Sequence, residues 1–284
     1  MKKSIAVVVD STVYLPSVFI EENDIKVASL NVIDGEDTYK ELEIDNDFVF
    51  DKMNQKHKLT TSQPSPTLFK NAYEACLEQG YEHVMVLTLS KGLSGTYQSA
   101  LLAKNMIDTK DKITIFDTEN AAYGNELLTF KLVELINEGK TVKDITQIMK
   151  TIIAKTSLYF TVENLYHLQK GGRLSKTQAF VGTVLRVKPV IKVVEGKLKL
   201  NHKERTHKKI YSYLLDQIKE DPHNDEGTLH VRIIERQAPE HAEILKQRIE
   251  ETFDNAVITI TDYIGPVFSI HIGDKGFGLA WFFA

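Results

Sequence analysis

The feature that most constrains this chain is an alternation in its first half. Short runs rich in β-branched residues alternate with longer stretches of helical period. Ser4–Val9 (SIAVVV), His83–Leu89 (HVMVLTL) and Ile113–Phe116 (ITIF) are apolar on nearly every position. Such a run has no face to offer water, so each predicts a strand buried on both sides. The stretches between them read as helices. Pro66–Gln79 has Ser65 to cap it, Pro66 at its first position and Gly80 just past its end. Thr96–Met106 follows the second strand, and Asn125–Glu138, with Leu128, Leu132 and Leu135 on one face, stops at Gly139. Strands alternating with helices predict βαβ units and a parallel sheet flanked by helices.

The second half has a different rhythm. Val142–Ala154 is an amphipathic helix and Leu158–Val162 a strand. Val190–Val194 and Lys197–Leu200 flank Glu195-Gly196, a hairpin turn. Leu229–Glu235, Val257–Thr261 and Val267–Ile272 read as further strands, separated by helices at Arg205–Lys219 and Pro239–Glu251. This pattern predicts a mixed or antiparallel sheet with helices. A length of 284 residues suits two α/β domains. The expected division is 1–155 and 156–284, and with no long linker or repeat the two should sit closely together.

Charge and cysteine content exclude several classes of function. Thirty-five basic against 39 acidic side chains leave a net charge of −4, unlike a non-specific nucleic-acid binder. The one cysteine, Cys76, has no partner for an internal disulfide, which fits a reducing compartment and predicts a cytoplasmic protein. The start, MKKSIAVVVDST, is basic and then apolar, but its apolar run is too short for a signal peptide. No apolar run is long enough to span a bilayer. Transient contact with a membrane surface remains compatible with the sequence.

Polar segments that could bind a ligand come next. Asp10-Ser11-Thr12 closes the first strand, Thr60-Thr61-Ser62-Gln63-Pro64-Ser65-Pro66 opens a helix, and Ser90-Lys91-Gly92-Leu93-Ser94-Gly95-Thr96 joins the second strand to its helix. In an open parallel sheet, ligands bind beyond the carboxyl ends of the strands. Free N–H groups at helix starts and small hydroxyls there suit a carboxylate or phosphate. The same residues also make ordinary caps and turns. Gln169-Lys170-Gly171-Gly172-Arg173-Leu174-Ser175 pairs two glycines, able to reverse the chain, with a guanidinium free to meet an anion; a helix end with a solvated arginine fits equally. His271 lies in an apolar predicted strand, where a packed histidine is the common case. Lys203–Lys209 reads as a solvated basic helix start.

Standard catalytic signatures are missing. There is no phosphate-binding G-x-x-x-x-G-K-[ST]. Gly92-Leu93-Ser94-Gly95 falls short of a nucleophile elbow, because Thr96 stands where glycine is required. The glycines of Gly273–Gly278 have the wrong spacing for a dinucleotide fingerprint. Nine histidines without H-E-x-x-H, and no paired cysteines, predict no metal site. Cys76, in mid-helix, reads as a packed thiol.

Taken together, Val9-Asp10-Ser11-Thr12, Thr61-Ser62-Gln63-Pro64-Ser65-Pro66, Leu93-Ser94-Gly95-Thr96-Tyr97-Gln98-Ser99-Ala100, Lys170-Gly171-Gly172-Arg173-Leu174-Ser175 and Lys188-Pro189-Val190 resemble the DegV family, the fatty-acid-binding proteins that serve bacterial fatty acid kinases. These segments come in family order over nearly the whole chain. The family commonly has a His-Thr-Gly-type segment where this chain has His271-Ile272-Gly273 followed by Asp274-Lys275. The resemblance implies one long-chain fatty acid in a cleft between the two domains, with no cofactor. It implies a carboxylate meeting Thr61, Ser62, Ser94 and Gly95, with His271 nearby. It further implies a separate fatty acid kinase that phosphorylates the carboxylate, with Arg173 and Arg205 on the rim facing the kinase or the acyl phosphate.

The chemistry agrees. Burying about 15 methylenes gains at most about 12 kcal/mol, so the polar end need only orient the head group. Hydroxyls and backbone N–H groups can do that without a fixed lysine, which leaves the carboxylate nucleophilic. The competing reading is an enzyme, a serine-dependent acyl hydrolase or transferase using Ser94 or Ser62. It requires a general base within reach of the serine, and His271 is the candidate.

Overall fold

The computed structural model describes residues 4–163, 165–175 and 187–284. β1 (Ile5–Asp10), β2 (Lys26–Ala28), β6 (His83–Thr88) and β7 (Ile113–Asp117) form a four-stranded parallel sheet in the order β2-β1-β6-β7. The continuous apolar run of β1 has a simple reason. Ala6 and Val8 meet Phe69, Tyr73 and Ala100 of the Pro66–Glu78 and Thr96–Asn105 helices. Ile5, Val7 and Val9 meet Leu128, Leu132, Ile145 and Met149 of the Tyr123–Asn137 and Val142–Lys155 helices. Both faces are covered, so no polar alternation survives.

The second sheet has six strands: β8 (Ser157–Val162), β9 (Lys188–Val194), β10 (Lys197–Glu204), β11 (Leu229–Arg236), β12 (Ala256–Thr261) and β13 (Gly276–Phe283). Their order is β10-β9-β8-β13-β11-β12, and of these pairs only β11 with β12 is parallel. The β9–β10 hairpin turns on Glu195 and Gly196, both at positive φ (52° and 71°), as a two-residue hairpin requires. The His207–Lys219 and Pro239–Glu250 helices cover one face through Ile210, Leu214 and Leu245. The chain is thus α/β, with an N-terminal parallel sheet and a C-terminal mixed sheet, each carrying helices.

Two readings of the sequence need correction. Val267–Ile272 is not a strand; Pro266–Ile272 is a helix. The alternation of Phe268, Ile270 and Ile272 mimics a strand, but Pro266 occupies the first helical position and Gly273 (φ 86°) terminates the run. The C-terminal strand lies further on, in β13. Its glycines are there because β8 runs so close: a Cβ at Gly276 or Gly278 would lie 2.5 Å from the carbonyl oxygen of Thr161 or Tyr159.

The second correction is a small antiparallel sheet, β4-β3-β5, made of β3 (Asn31–Asp34), β4 (Asp37–Lys40) and β5 (Leu59–Ser62). Thr60-Thr61-Ser62 therefore lies in a strand. The chain leaves it at Gln63, and Ser65 accepts the Leu68 N–H to start the next helix. The Pro266–Ile272 helix rests on this sheet, with Val267 and Ile270 against Leu30, Val32 and Leu59. A C-terminal helix is thereby set among N-terminal elements. Among the described residues, no helix is long and apolar enough to cross a membrane.

Candidate ligand-binding site

The elements meet around one largely apolar cavity. One wall comes from the first half of the chain: Leu30, Leu89, Leu93 and the Ala121-Ala122-Tyr123 turn. The other comes from the second half: Leu158 and Phe160 of β8, Leu198 of β10, and Val267, Phe268 and Ile272 of the Pro266–Ile272 helix. Residues 267, 268, 271 and 272 share one face of that helix at spacings of one, three and four, so His271 enters the cavity with them.

The polar groups gather in one part of the lining: Thr61, Ser62, Gln63, Ser94, Arg173 and His271. Thr61 Oγ1 lies 2.9 Å from His271 Nε2. Ser62 Oγ accepts from Asn31 Nδ2 at 3.2 Å. Ser94 Oγ is 2.9 Å from Thr96 Oγ1 and accepts the Thr96 N–H, at the start of the Thr96–Asn105 helix. Gly95 is not in the lining. It precedes that helix, and a Cβ there would stand 3.0 Å from the Gln63 amide carbon.

Burial, then the positive charges of Arg173 and His167, push the His271 imidazole down to about 3. It is neutral at neutral pH, so its tautomer matters. Nδ1 is buried with no hydrogen-bond partner among the described residues. A buried N–H without an acceptor costs more than an unused lone pair. We therefore assign the proton to Nε2, which donates to Thr61 Oγ1. The Thr61 hydroxyl is then free to donate its own proton into the cavity.

Arg173 is half-buried rather than solvated. Its Nε donates to the Leu93 carbonyl at 3.2 Å and its Nη1 to the Gly171 carbonyl at 2.5 Å. The Gly-Gly pair serves two purposes. Gly172 makes the reversal, at φ 76°. Gly171 instead leaves room for the histidine, since a Cβ there would lie 2.2 Å from His271 Nδ1. Arg205 is exposed, between β10 and the His207–Lys219 helix, and is not part of the lining.

The Asp10-Ser11-Thr12 segment does not line this cavity. The Asp10 carboxylate is wholly buried and accepts from the Thr12 N–H, the Thr12 hydroxyl and the Leu89 N–H. Ser11 donates to Glu41 at 2.5 Å. Cys76 is buried and burial pushes its thiol up to about 11, as a packed, unreactive thiol requires. Sequence reasoning missed the Ala121–Tyr123 wall. Ala122 sits at φ 45°, ψ −119°, a strained conformation for a residue with a side chain, and an alanine carries no signal for it.

The fold and cavity define an α/β protein of two large sheets and one small one, with an apolar pocket that is polar at one end. A family described as "Uncharacterised protein, DegV family" matches residues 4–284. Protein DegV of Bacillus subtilis is 33% identical over 288 residues, covering 99% of both chains. The solved structure of DegV from Bacillus subtilis, described as a fatty acid binding protein, superposes with a TM-score of 0.85 at 32% identity, covering 100% of each chain. A DegV family protein from Thermus thermophilus, described by its fatty acid binding, gives a TM-score of 0.88 at 27% identity, covering 99% of this chain and 100% of that one. The chain belongs to the DegV family.

Proposed function

We propose that this protein holds a long-chain fatty acid in the cavity and presents its carboxylate to a separate fatty acid kinase. The observation that carries the reading is the cavity itself, apolar along its walls and supplied at one end with the hydroxyls of Thr61, Ser62 and Ser94. Fatty acid binding by the Bacillus subtilis and Thermus thermophilus relatives supports it. The apolar walls take the tail and the hydroxyls orient the head. Neutral His271 fixes the Thr61 hydroxyl as a donor to the carboxylate. No lysine lines the cavity among the described residues, and the Arg173 guanidinium is engaged with the Leu93 and Gly171 carbonyls, so a carboxylate oxygen keeps its lone pair available to attack the phosphorus of a donor held by the kinase. The donor's leaving group departs with the P–O bond electrons, giving an acyl phosphate. Arg173, at the polar end, and Arg205, on the exposed surface, are the proposed contacts for the kinase or the phosphoryl group. We take residues 1–155 and 156–284 as the two units whose facing surfaces enclose the cavity.

The geometry gives the hydrolase or transferase reading little support. The imidazole of His271 is engaged with Thr61, whereas Ser94 pairs with Thr96 and Ser62 with Asn31. Delipidated protein should gain thermal stability on adding long-chain fatty acids, by about 2.7 kcal/mol at a hundredfold excess over Kd. The cognate kinase should then phosphorylate the bound acid. No stabilisation removes the carrier reading, and an acyl adduct on Ser94 or Ser62 in intact-protein mass spectrometry would replace it with the enzyme.

A further inference from the structure

β12 is an edge strand of the six-stranded sheet, and one of its faces is open. Ile258 and Ile260 pack against the core beside the Pro239–Glu250 helix, so Val257, Thr259 and Thr261 turn to the opposite face. Val257 and Thr259 are exposed there. Between this face and the Tyr123–Asn137 helix runs a cleft of about 580 Å³, which shares no lining residue with the lipid cavity among the described residues. Its lining includes an arginine whose donors are poorly used. Arg232 is only 5% exposed, yet its Nε has no hydrogen-bond partner among the described residues. Its guanidinium lies over the Phe130 ring, 4.6 Å from the centroid. A Glu126 carboxylate oxygen is 3.2 Å from Nε but outside hydrogen-bond geometry. We propose that this cleft is a second ligand site, for a monocarboxylate with an apolar body whose carboxylate binds the fork of Arg232. The proposal does not depend on the carrier reading.

The chemistry of the lining selects this class. A buried N–H without an acceptor is costly, and structures rarely tolerate one without a reason. The planar guanidinium matches the two oxygens of a carboxylate side by side. A dianion such as phosphate fits poorly, because Glu126 and Asp262 line the same cleft. His230 adds no compensating charge at neutral pH, since burial pushes its imidazole down from the usual range. Glu126 can yield its place to the ligand. Burial raises its carboxyl to about 7, so near neutral pH it takes up a proton at little cost, still accepting from the Thr261 hydroxyl at 3.2 Å. Leu15, Phe130, Val257 and Tyr263 give the body of the ligand an apolar bed. A long-chain fatty acid and a short aromatic acid share these features, and the test separates them.

The full delipidated chain is first given one equivalent of hexadecanoic acid. Titration calorimetry then follows with more hexadecanoic acid or with 4-phenylbutanoic acid. Further binding of hexadecanoic acid identifies a lipid ligand; binding of 4-phenylbutanoic acid alone identifies a shorter acid. Either supports the site if three variants agree. Thr259→Trp, which fills the cleft from its exposed side without altering the ion pair, should abolish this binding and leave the first equivalent of hexadecanoic acid within about twofold. Arg232→Gln should weaken the second binding about tenfold or more. Glu126→Gln, which carries the shape of the protonated acid, should bind at least as tightly as the unsubstituted protein. The corresponding alcohol, hexadecan-1-ol or 4-phenylbutan-1-ol, should bind at least about tenfold more weakly than its acid. No binding beyond the first equivalent overturns the proposal. So does binding that Thr259→Trp leaves unchanged, or an alcohol that binds as tightly as its acid. Should Arg232→Gln fail to fold, Thr259→Trp and the alcohols still decide.

Discussion

The Glu41 carboxylate accepts the backbone N–H of Val267 at 3.0 Å, across 226 residues of chain. Val267 is the second residue of the helix that carries His271, and Pro266 before it has no N–H to satisfy. Ser11 and Tyr14 donate to the same carboxylate, and the Tyr14 oxygen in turn accepts the Phe268 N–H at 3.4 Å. A C-terminal helix is therefore capped by N-terminal side chains. Ser11 of the Asp10-Ser11-Thr12 motif joins this cap and lies outside the cavity lining.

Glu41 should make stability depend on pH. Burial pushes its carboxyl from 4.5 up to about 7. A folded-state value above the unfolded one means the stabilisation is complete below about 4.5 and is lost as pH rises through 7. The loss approaches about 3 kcal/mol at roughly 1.4 kcal/mol per unit. Glu126, also raised to about 7 by burial, adds a loss of the same sign. Glu41→Gln removes only the first. Its melting temperature minus that of the unsubstituted protein should become more positive from pH 5 to pH 8. A difference that stays constant over this range would show that Glu41 does not titrate as its burial implies.

Asn46 fixes the same helix from a second direction. Its Nδ2 donates to the Ile264 carbonyl and its Oδ1 accepts from Ser269 Oγ, both at 2.6 Å and buried. Asn46→Ala strands both partners and should cost about 2–4 kcal/mol in chemical denaturation. Ser269→Ala strands only Oδ1 and should cost less. Because the two share a bond, the double variant should fall short of the sum of the singles. Strict additivity would mean the bond contributes nothing.

Ser94→Ala should weaken fatty acid binding about 10- to 100-fold, the loss of one donor to a charged group, while the fold persists. Ser94 also accepts the Thr96 N–H, so some loss of stability, about 1 kcal/mol, is expected from the weakened helix start. Unchanged affinity would remove Ser94 from the head-group site. Loss of the fold would make it a structural cap.

How much of this was legible depended on where each contact lay. The runs in β1 and β6 could be read because each strand is buried on both faces by its own sheet's helices, and that in the edge strand β7 because Ile113 and Phe116 are buried. β4, with the sequence DTYK and three of four residues exposed, has no apolar pattern to read. β13 hid behind glycines that only the proximity of β8 explains. Thr61, Ser62, Ser94, Arg173 and His271 were nameable in advance from the family resemblance and line one cavity, whereas Gly95 and Arg205, named with them, do not line it. Glu41 and Asn46 were not, since each acts through a contact more than 200 residues away that leaves no local trace.

The neighbouring glycines 171 and 172 separate fold from site within one turn. Gly172 is at φ 76°, and a Cβ there would meet nothing within 4 Å. Gly172→Ala should therefore cost about 1–2 kcal/mol of stability through backbone strain alone and leave fatty acid affinity nearly intact. Gly171 has an ordinary φ of −72°, so alanine suits its backbone. Its Cβ, however, would stand 2.2 Å from His271 Nδ1 and 3.2 Å from the His167 carbonyl. The imidazole must move, and its bond to Thr61 lengthens or breaks. Gly171→Ala should lose fatty acid affinity about tenfold or more, the worth of an aligned donor at the head group. Calorimetric affinity and thermal unfolding, measured on both variants, decide the matter. If Gly171→Ala binds normally, the position of His271 against Thr61 is irrelevant to the ligand, and the assigned relay from Nε2 through the Thr61 hydroxyl fails.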